Sequence, residues 1–185
     1  MKTSETLIKT KWVIDPAHSE FGFKVKHLMI TNVKGVFRDF QTNIYTSGDD
    51  FTTAEIEVRI NTESIDTGDE KRDAHLKSPD FFNVETHPQI IFIGKKLERA
   101  KEDTYILYGD VAIREVTIPV KLDVEFAGRM TDPYGNEKAG FVVEGKISRK
   151  EWELNWNTAL ETGGVLVSDE VRISCEIQII KQSNQ

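Results

Sequence analysis

The sequence predicts a mainly β domain: one antiparallel sheet of about eight strands, closed into a barrel or folded into a sandwich. Three observations lead there. Apolar residues alternate with polar ones over most of the chain, turn signals separate the alternating runs, and one stretch near residue 70 breaks the pattern. Residues two apart in a strand share a face, so each run gives a strand with one apolar side.

The elements follow in order. Residues 11–15 form a first strand, and EFGFKV continues with Phe21, Phe23 and Val25 on one face. A strand over 35–46 ends at SGDD, 47–50, and AEIEVRI then aligns Ala54, Ile56, Val58 and Ile60. The pattern breaks at Thr67, which has capping-box spacing to Glu70, and EKRDAHLK after it lacks β-branched residues, so a helix is expected. Ser78-Pro79-Asp80 resembles a fresh N-cap with proline at the first helical position, so a second short turn would carry Phe81 and Phe82. Strands resume over 89–97 and 104–114, separated by the charged ERAKED, 98–103. Val116, Ile118, Val120, Leu122, Val124 and Phe126 form the longest alternation. Pro119 inside it cannot donate to a ladder and should mark an edge or bulge. DPYGNE, 132–137, turns the chain into a strand over 138–148, and Val171, Ile173, Cys175, Ile177 and Ile179 form the last run. Closure into a barrel would remove the exposed sheet edges.

Bulk composition narrows the function classes. A chain of 185 residues defaults to one domain, and 38% hydrophobic with 30% charged residues is a globular balance. The net charge of −7 argues against nucleic acid as the main partner, though not against a local basic patch. No segment approaches the roughly 20 apolar residues of a membrane helix. MKTSETLIKTKW has no signal-peptide pattern and the single Cys175 has no internal partner, so a cytoplasmic protein is expected. Cys175 sits on an apolar face and reads as a buried structural thiol.

Several clusters carry chemistry in principle. DPAHS, 15–19, holds Asp, His and Ser, but His18 and Ser19 are neighbours that would face opposite ways on a strand, and no nucleophile elbow is present. The four histidines, 18, 27, 75 and 87, show no metal-ligand spacing, so no metal is expected. Arg72 and His75 share a helix face, and a guanidinium fork suits phosphate or carboxylate. Asp73 could orient either one; a solvated face with a structural Arg72–Asp73 pair is the blander reading. Trp152 and Trp156 lie near Arg149, either at a wet rim or in plain core.

Four segments in a fixed order then carry a resemblance: KWVIDPAHSEFGFKVKHLMITNVKGVF, RDAHLKSPDFFNVETHPQIIF, YGDVAIREVTIPV and ISRKEWELNWNTALETGGVLVSDEV. Together they resemble the YceI-like family of lipid- and polyisoprenoid-binding proteins over about residues 11–180. The resemblance implies an extended, antiparallel, eight-stranded, lipocalin-like β-barrel with a short helical insertion around residues 68–83. The domain would span 11–181, with tails at 1–10 and 182–185. It also implies a long apolar chain held in the barrel with a polar head near the mouth, and pairing into a homodimer. The positions that match the family are His18 and Ser19, then Arg72, Asp73, His75 and Leu76, then Arg149, Trp156 and Asn157. Where the family often has glycine, this chain has Glu115.

The expected function is therefore a non-enzymatic carrier of a polyisoprenoid, an isoprenoid quinone or a fatty-acyl compound, with no required cofactor. Each methylene removed from water contributes about 0.8 kcal/mol. At roughly 0.3 kcal/mol per heavy atom after costs, a chain of about forty carbons reaches roughly 12 kcal/mol. Headgroup contacts would then set orientation more than affinity. Lining candidates from the alternating runs are Phe21, Phe23, Val25, Ile56, Val58, Phe92, Phe126 and Phe141. Arg72, His75 and His18 are head-end candidates; Asp73, Phe81, Phe82, Arg149, Trp152 and Trp156 complete the set. Two other readings compete: a hydrolase or isomerase with His18 or His75 as general base, and a barrel filled by its own side chains that serves interaction or stress.

Overall fold

Consecutive strands pair around a closed ring in the computed structural model, which describes residues 8–161 and 164–183. Residues 1–7 of the expected N-terminal tail and 184–185 of the C-terminal tail lie outside the described residues. The strands are β1 (Lys9–Ile14), β2 (Glu20–His27), β3 (Thr31–Phe37), β4 (Phe40–Ser47), β5 (Asp50–Asn61), β6 (Ile65–Asp66), β7 (Gln89–Arg99), β8 (Thr104–Ile113), β9 (Val116–Thr131), β10 (Glu137–Ser148) and β11 (Val167–Lys181). One helix, α1 (Glu70–Lys77), lies between β6 and β7.

These eleven segments make an eight-stranded antiparallel barrel because three long strands are interrupted. The 3-10 turn Pro16–His18 separates β1 from β2, Arg38-Asp39 separates β3 from β4, and Thr62–Ser64 separates β5 from β6. Strand β11 closes the ring on both halves of the first strand: Ile173 pairs with Phe23 on β2, and Ile179 pairs with Ile14 on β1. The expected single strand over 35–46 is one of the broken ones. Its register restarts at Phe40, which pairs with Ile60.

Pro119 pairs across to Asp110 on β8, and β10 joins β9 only from Asp123 onward. It therefore sits where β9 has a free edge, as its missing donor requires. The helix starts later than the capping-box spacing suggests. Its N-cap is Asp69 rather than Thr67, accepting from the backbone N–H groups of Lys71 and Arg72, and a carboxylate there suits the helix dipole. Ser78-Pro79-Asp80 opens the expected short turn that carries Phe81 and Phe82: the Phe81 N–H donates to the Ser78 carbonyl and the Phe82 N–H to that of Leu76. Glu115 is accommodated because Arg114, not Glu115, takes the left-handed conformation, φ 56°, in the two-residue β8–β9 turn.

Large side chains occupy the inward rows and lie against glycines in the wall. A Cβ on Gly109 would come within 2.5 Å of the Phe92 ring, and one on Gly35 within 2.3 Å of the Phe23 ring. Both rings therefore rest where a neighbouring side chain would otherwise stand. Gly109→Ala is expected to cost about 1–3 kcal/mol, since the Ile93 carbonyl at 2.6 Å also blocks the new methyl. Urea unfolding would check this; an unchanged midpoint would mean that the ring moves off the wall freely.

Candidate functional site

The cap end of the barrel is built around α1 and the segment after β10. Arg72 and Asp73 do not pair with each other there. Arg72 donates from Nε to Thr67 Oγ1 at 2.8 Å and from Nη2 to the Thr67 carbonyl at 2.9 Å, while Asp73 accepts from the Thr67 backbone N–H and hydroxyl. Both side chains thus pin the helix to the chain just after β6. His75 meets Asp80 through Nε2 at 2.8 Å and sets its ring edge-on to Trp156 and Phe81, at 4.5 and 5.2 Å. Phe81 is buried, Phe82 packs edge-on against Phe37, and Leu76 joins the same apolar cluster.

Arg149 and Trp152 correct the expectation that they contact ligand. Arg149 is 5% exposed, and its guanidinium is committed to the protein's own oxygens. Nε donates to the Ser168 carbonyl, Nη1 to those of Leu154 and Trp156, and Nη2 to that of Val167 with Asp169 alongside. Burial pulls its pKa below the usual arginine value, opposed in part by Asp169. Trp152 is fully buried and donates from Nε1 to the Val111 carbonyl, sealing the gap where β9 and β10 part. Four of the five Arg149 donors and the one Trp152 donor are spent on main-chain carbonyls, and Arg149 Nη2 also lies 3.7 Å from Asp169. Asn157 is also structural, bonding both the N–H and the carbonyl of Val167.

His18 is a second correction. It stands 64% exposed on the outer wall, in the turn between β1 and β2, with Nδ1 at 2.9 Å from Asp15. Ser19 bonds the Gln178 backbone and holds the break in register with β11. Burial disfavours the Asp15 carboxylate, but His18, the Ala17 N–H and Gln178 more than offset this and hold its pKa below the ordinary value. The turn is remote from the lumen, so His18 joins neither the cap nor the lining.

The lining candidates share one interior. Phe23, Ile56, Val58, Phe92, Phe126 and Phe141 lie on inward rows, in register with Ile173, Ile44, Thr42, Val111 and one another. Phe21 pairs with Cys175 and Phe37 and packs its ring at a tilt against Phe40 at 4.6 Å; Val25 lies between Val33 and Val171. Burial pushes the Cys175 thiol up to about 11, so it is an inert wall residue. Midway along the barrel, Phe23, Phe92, Val111, Val120, Val143, Ile147 and Ile173 face inward yet remain only half-buried. Thr42 adds an inward hydroxyl that is buried without a hydrogen-bond partner among the described residues.

The end opposite α1 holds a cleft that alternation does not reveal. Strand β5 pairs with β7 only from Glu57 to Asn61, and the bulge at Gly94–Lys96 carries β7 away from it. The gap opens a cleft of about 250 Å³ lined by Asp49, Asp50, Phe51, Thr52, Arg99, Asp103, Tyr105, Phe126 and Arg129. Arg129 lies over the Trp12 and Phe51 rings at 5.5 and 5.7 Å and pairs with Asp49 and Glu137. Burial weakens its charge, and those two carboxylates more than restore it. Arg99, exposed at the rim, stacks over Tyr105 at 5.7 Å. Strict alternation from Phe126 would put Met130 inward; the Ala127-Gly128 bulge gives that place to Arg129. The AG step is the only signal of it in the sequence. Among the described residues no cluster of His, Cys, Asp or Glu is arranged to hold a metal, and no helix is long and apolar enough to cross a membrane.

Comparison with known proteins agrees with this architecture. A model of the YceI-like domain matches residues 12–179. A UPF0312 protein of Staphylococcus epidermidis is 36% identical over 170 residues, covering 91% of this chain and 96% of the relative. The YCEI protein of Campylobacter jejuni superposes with a TM-score of 0.75 at 32% identity, covering 91% of this chain and 96% of that one. A polyisoprenoid binding domain from Saccharophagus degradans shares the fold, with a TM-score of 0.63 at 14% identity over 92% of this chain and 98% of its own. With one domain model running from β1 to β11, and relatives matched along nearly their whole length, the chain belongs to the YceI-like family.

Proposed function

We propose that the protein is a non-enzymatic carrier that holds one long-chain apolar compound, of the polyisoprenoid, isoprenoid-quinone or fatty-acyl class, along the barrel axis. The observation that carries this reading is the half-buried inward face. A core packed to native density buries its apolar side chains and leaves few voids larger than water. Here the middle rows keep accessible surface although they point into the barrel. The aromatic rings resting on Gly35 and Gly109 support the same reading, because they widen the lumen at its walls. The shared fold of the polyisoprenoid binding domain from Saccharophagus degradans is in keeping with it.

The polar end of the ligand is assigned to the β5–β7 cleft rather than to α1. Arg72 is tied to Thr67 and Arg149 to main-chain carbonyls, whereas Arg99 stands exposed at the rim over the buried Tyr105 ring, with Arg129 on the same cleft. Protein purified from its source cells and extracted with organic solvent should yield an apolar compound near one per chain, read by mass spectrometry. Absence of such a compound, together with no uptake of long-chain isoprenoids or fatty acids in vitro, would overturn the carrier reading.

A further inference from the structure

The β2–β3 hairpin ends in a tip that works against its own folding. Leu28 and Met29 occupy the turn at φ 53° and 61°, a left-handed conformation that favours Asn-Gly over bulky side chains. Leu28, Met29 and Ile30 are also 39, 55 and 79% exposed. Contiguous exposed apolar side chains mark a surface that meets another apolar phase. The tip is held in place: the Leu28 N–H donates to the Leu166 carbonyl, next to the segment that Arg149 and Asn157 anchor.

Behind the tip the charge is one-sided. Residues 21–37 contain Lys24, Lys26 and Lys34 and no acidic residue, in a chain whose net charge is −7. Cross-strand register aligns Lys34 with Lys24, Lys24 with Arg172, and Arg172 with Lys146, a basic row across four neighbouring strands of the outer wall. Like charges directly opposite one another are destabilising, and an anion lying over the row would relieve that repulsion. Glu170, paired with Arg172, and Glu144, two residues from Lys146 on the same face of β10, temper the row at its β10–β11 end.

We propose that this hairpin docks the barrel on an anionic lipid surface, with Leu28, Met29 and Ile30 entering the acyl boundary and the lysines meeting the headgroups. The spacing fits. Strand rise places Lys26 about 7 Å and Lys24 about 13 Å behind Leu28, while apolar faces of peripheral proteins sink about 5–10 Å into the interface. The inference is independent of the cargo: it concerns the outer tip, and vesicle binding and lumen occupancy are separate measurements.

The test is flotation with vesicles of equimolar phosphatidylcholine and phosphatidylglycerol, against vesicles of phosphatidylcholine alone. The native protein is expected to float with the anionic vesicles and to be released by high salt. The triple variant Leu28→Asn, Met29→Gly, Ile30→Thr restores a favoured turn, so it should fold at least as well and bind at least tenfold more weakly. Lys24→Gln with Lys34→Gln should weaken binding to the anionic vesicles only. Failure of the native protein to float with either vesicle, or undiminished binding by the triple variant, overturns the proposal. So does a dimer in sedimentation velocity that the triple variant abolishes without any vesicle binding, which would make the tip a contact between copies of this chain.

Discussion

Val120→Phe combined with Val143→Phe is expected to weaken binding of long-chain ligands roughly a hundredfold while leaving the barrel about as stable as before. Val120 packs against both the cap-side and the central apolar clusters, and Val143 borders the central one. Both face inward from neighbouring strands, and both are half-buried. The two rings would add several carbons each to the middle of the lumen. Displacing about three methylenes of ligand at about 0.8 kcal/mol each weakens binding by roughly a hundredfold. The stability readout decides between readings. Overpacking a filled core costs about 1–3 kcal/mol per site, so a barrel already filled by its own side chains would lose several kcal/mol in urea unfolding. A carrier would keep its stability and lose uptake of a fluorescent fatty acid. Retained uptake with unchanged stability would place the ligand elsewhere, at the β5–β7 cleft or on the outer wall.

The barrel is legible in the sequence because period-2 alternation survives in nearly every strand. Val116 to Phe126 and Val171 to Ile179 read directly into inward rows. What alternation hides are the places where parity resets. The breaks at Pro16–His18 and Arg38-Asp39, and the bulges at Gly94 and Gly128, each shift the face without changing composition. Arg129 is hidden in this way, since a strict count faces it to solvent. The cap is hidden for a different reason. Arg72, Asp73 and Arg149 are polar side chains that satisfy main-chain carbonyls and N–H groups, and backbone partners leave no mark in a sequence. His18 carries the converse lesson, because a matched family position can hold a strand break in register and never approach the cavity.

Arg149→Met is expected to cost more stability than any other single substitution in the cap, about 3–5 kcal/mol, the range seen when one partner of a buried charged network is removed. The substitution keeps much of the side-chain volume, so the cost arises from polarity. The carbonyls of Leu154, Trp156, Val167 and Ser168 lose their shared donor, while Asp169 loses an opposite charge. Buried acceptors left without donors each carry a desolvation penalty of about 1–3 kcal/mol, moderated where water reaches them. For a domain of this size the loss corresponds to a melting temperature lower by on the order of 10 °C. Arg149→Lys should recover little, because an ammonium is a point charge and cannot span carbonyls on opposite sides of a planar fork. Ligand affinity of the folded fraction should stay unchanged in both variants, since no donor of Arg149 faces the lumen. If Arg149→Met instead unfolds at the native urea midpoint and loses ligand affinity, Arg149 returns to the binding site and the cap becomes the mouth.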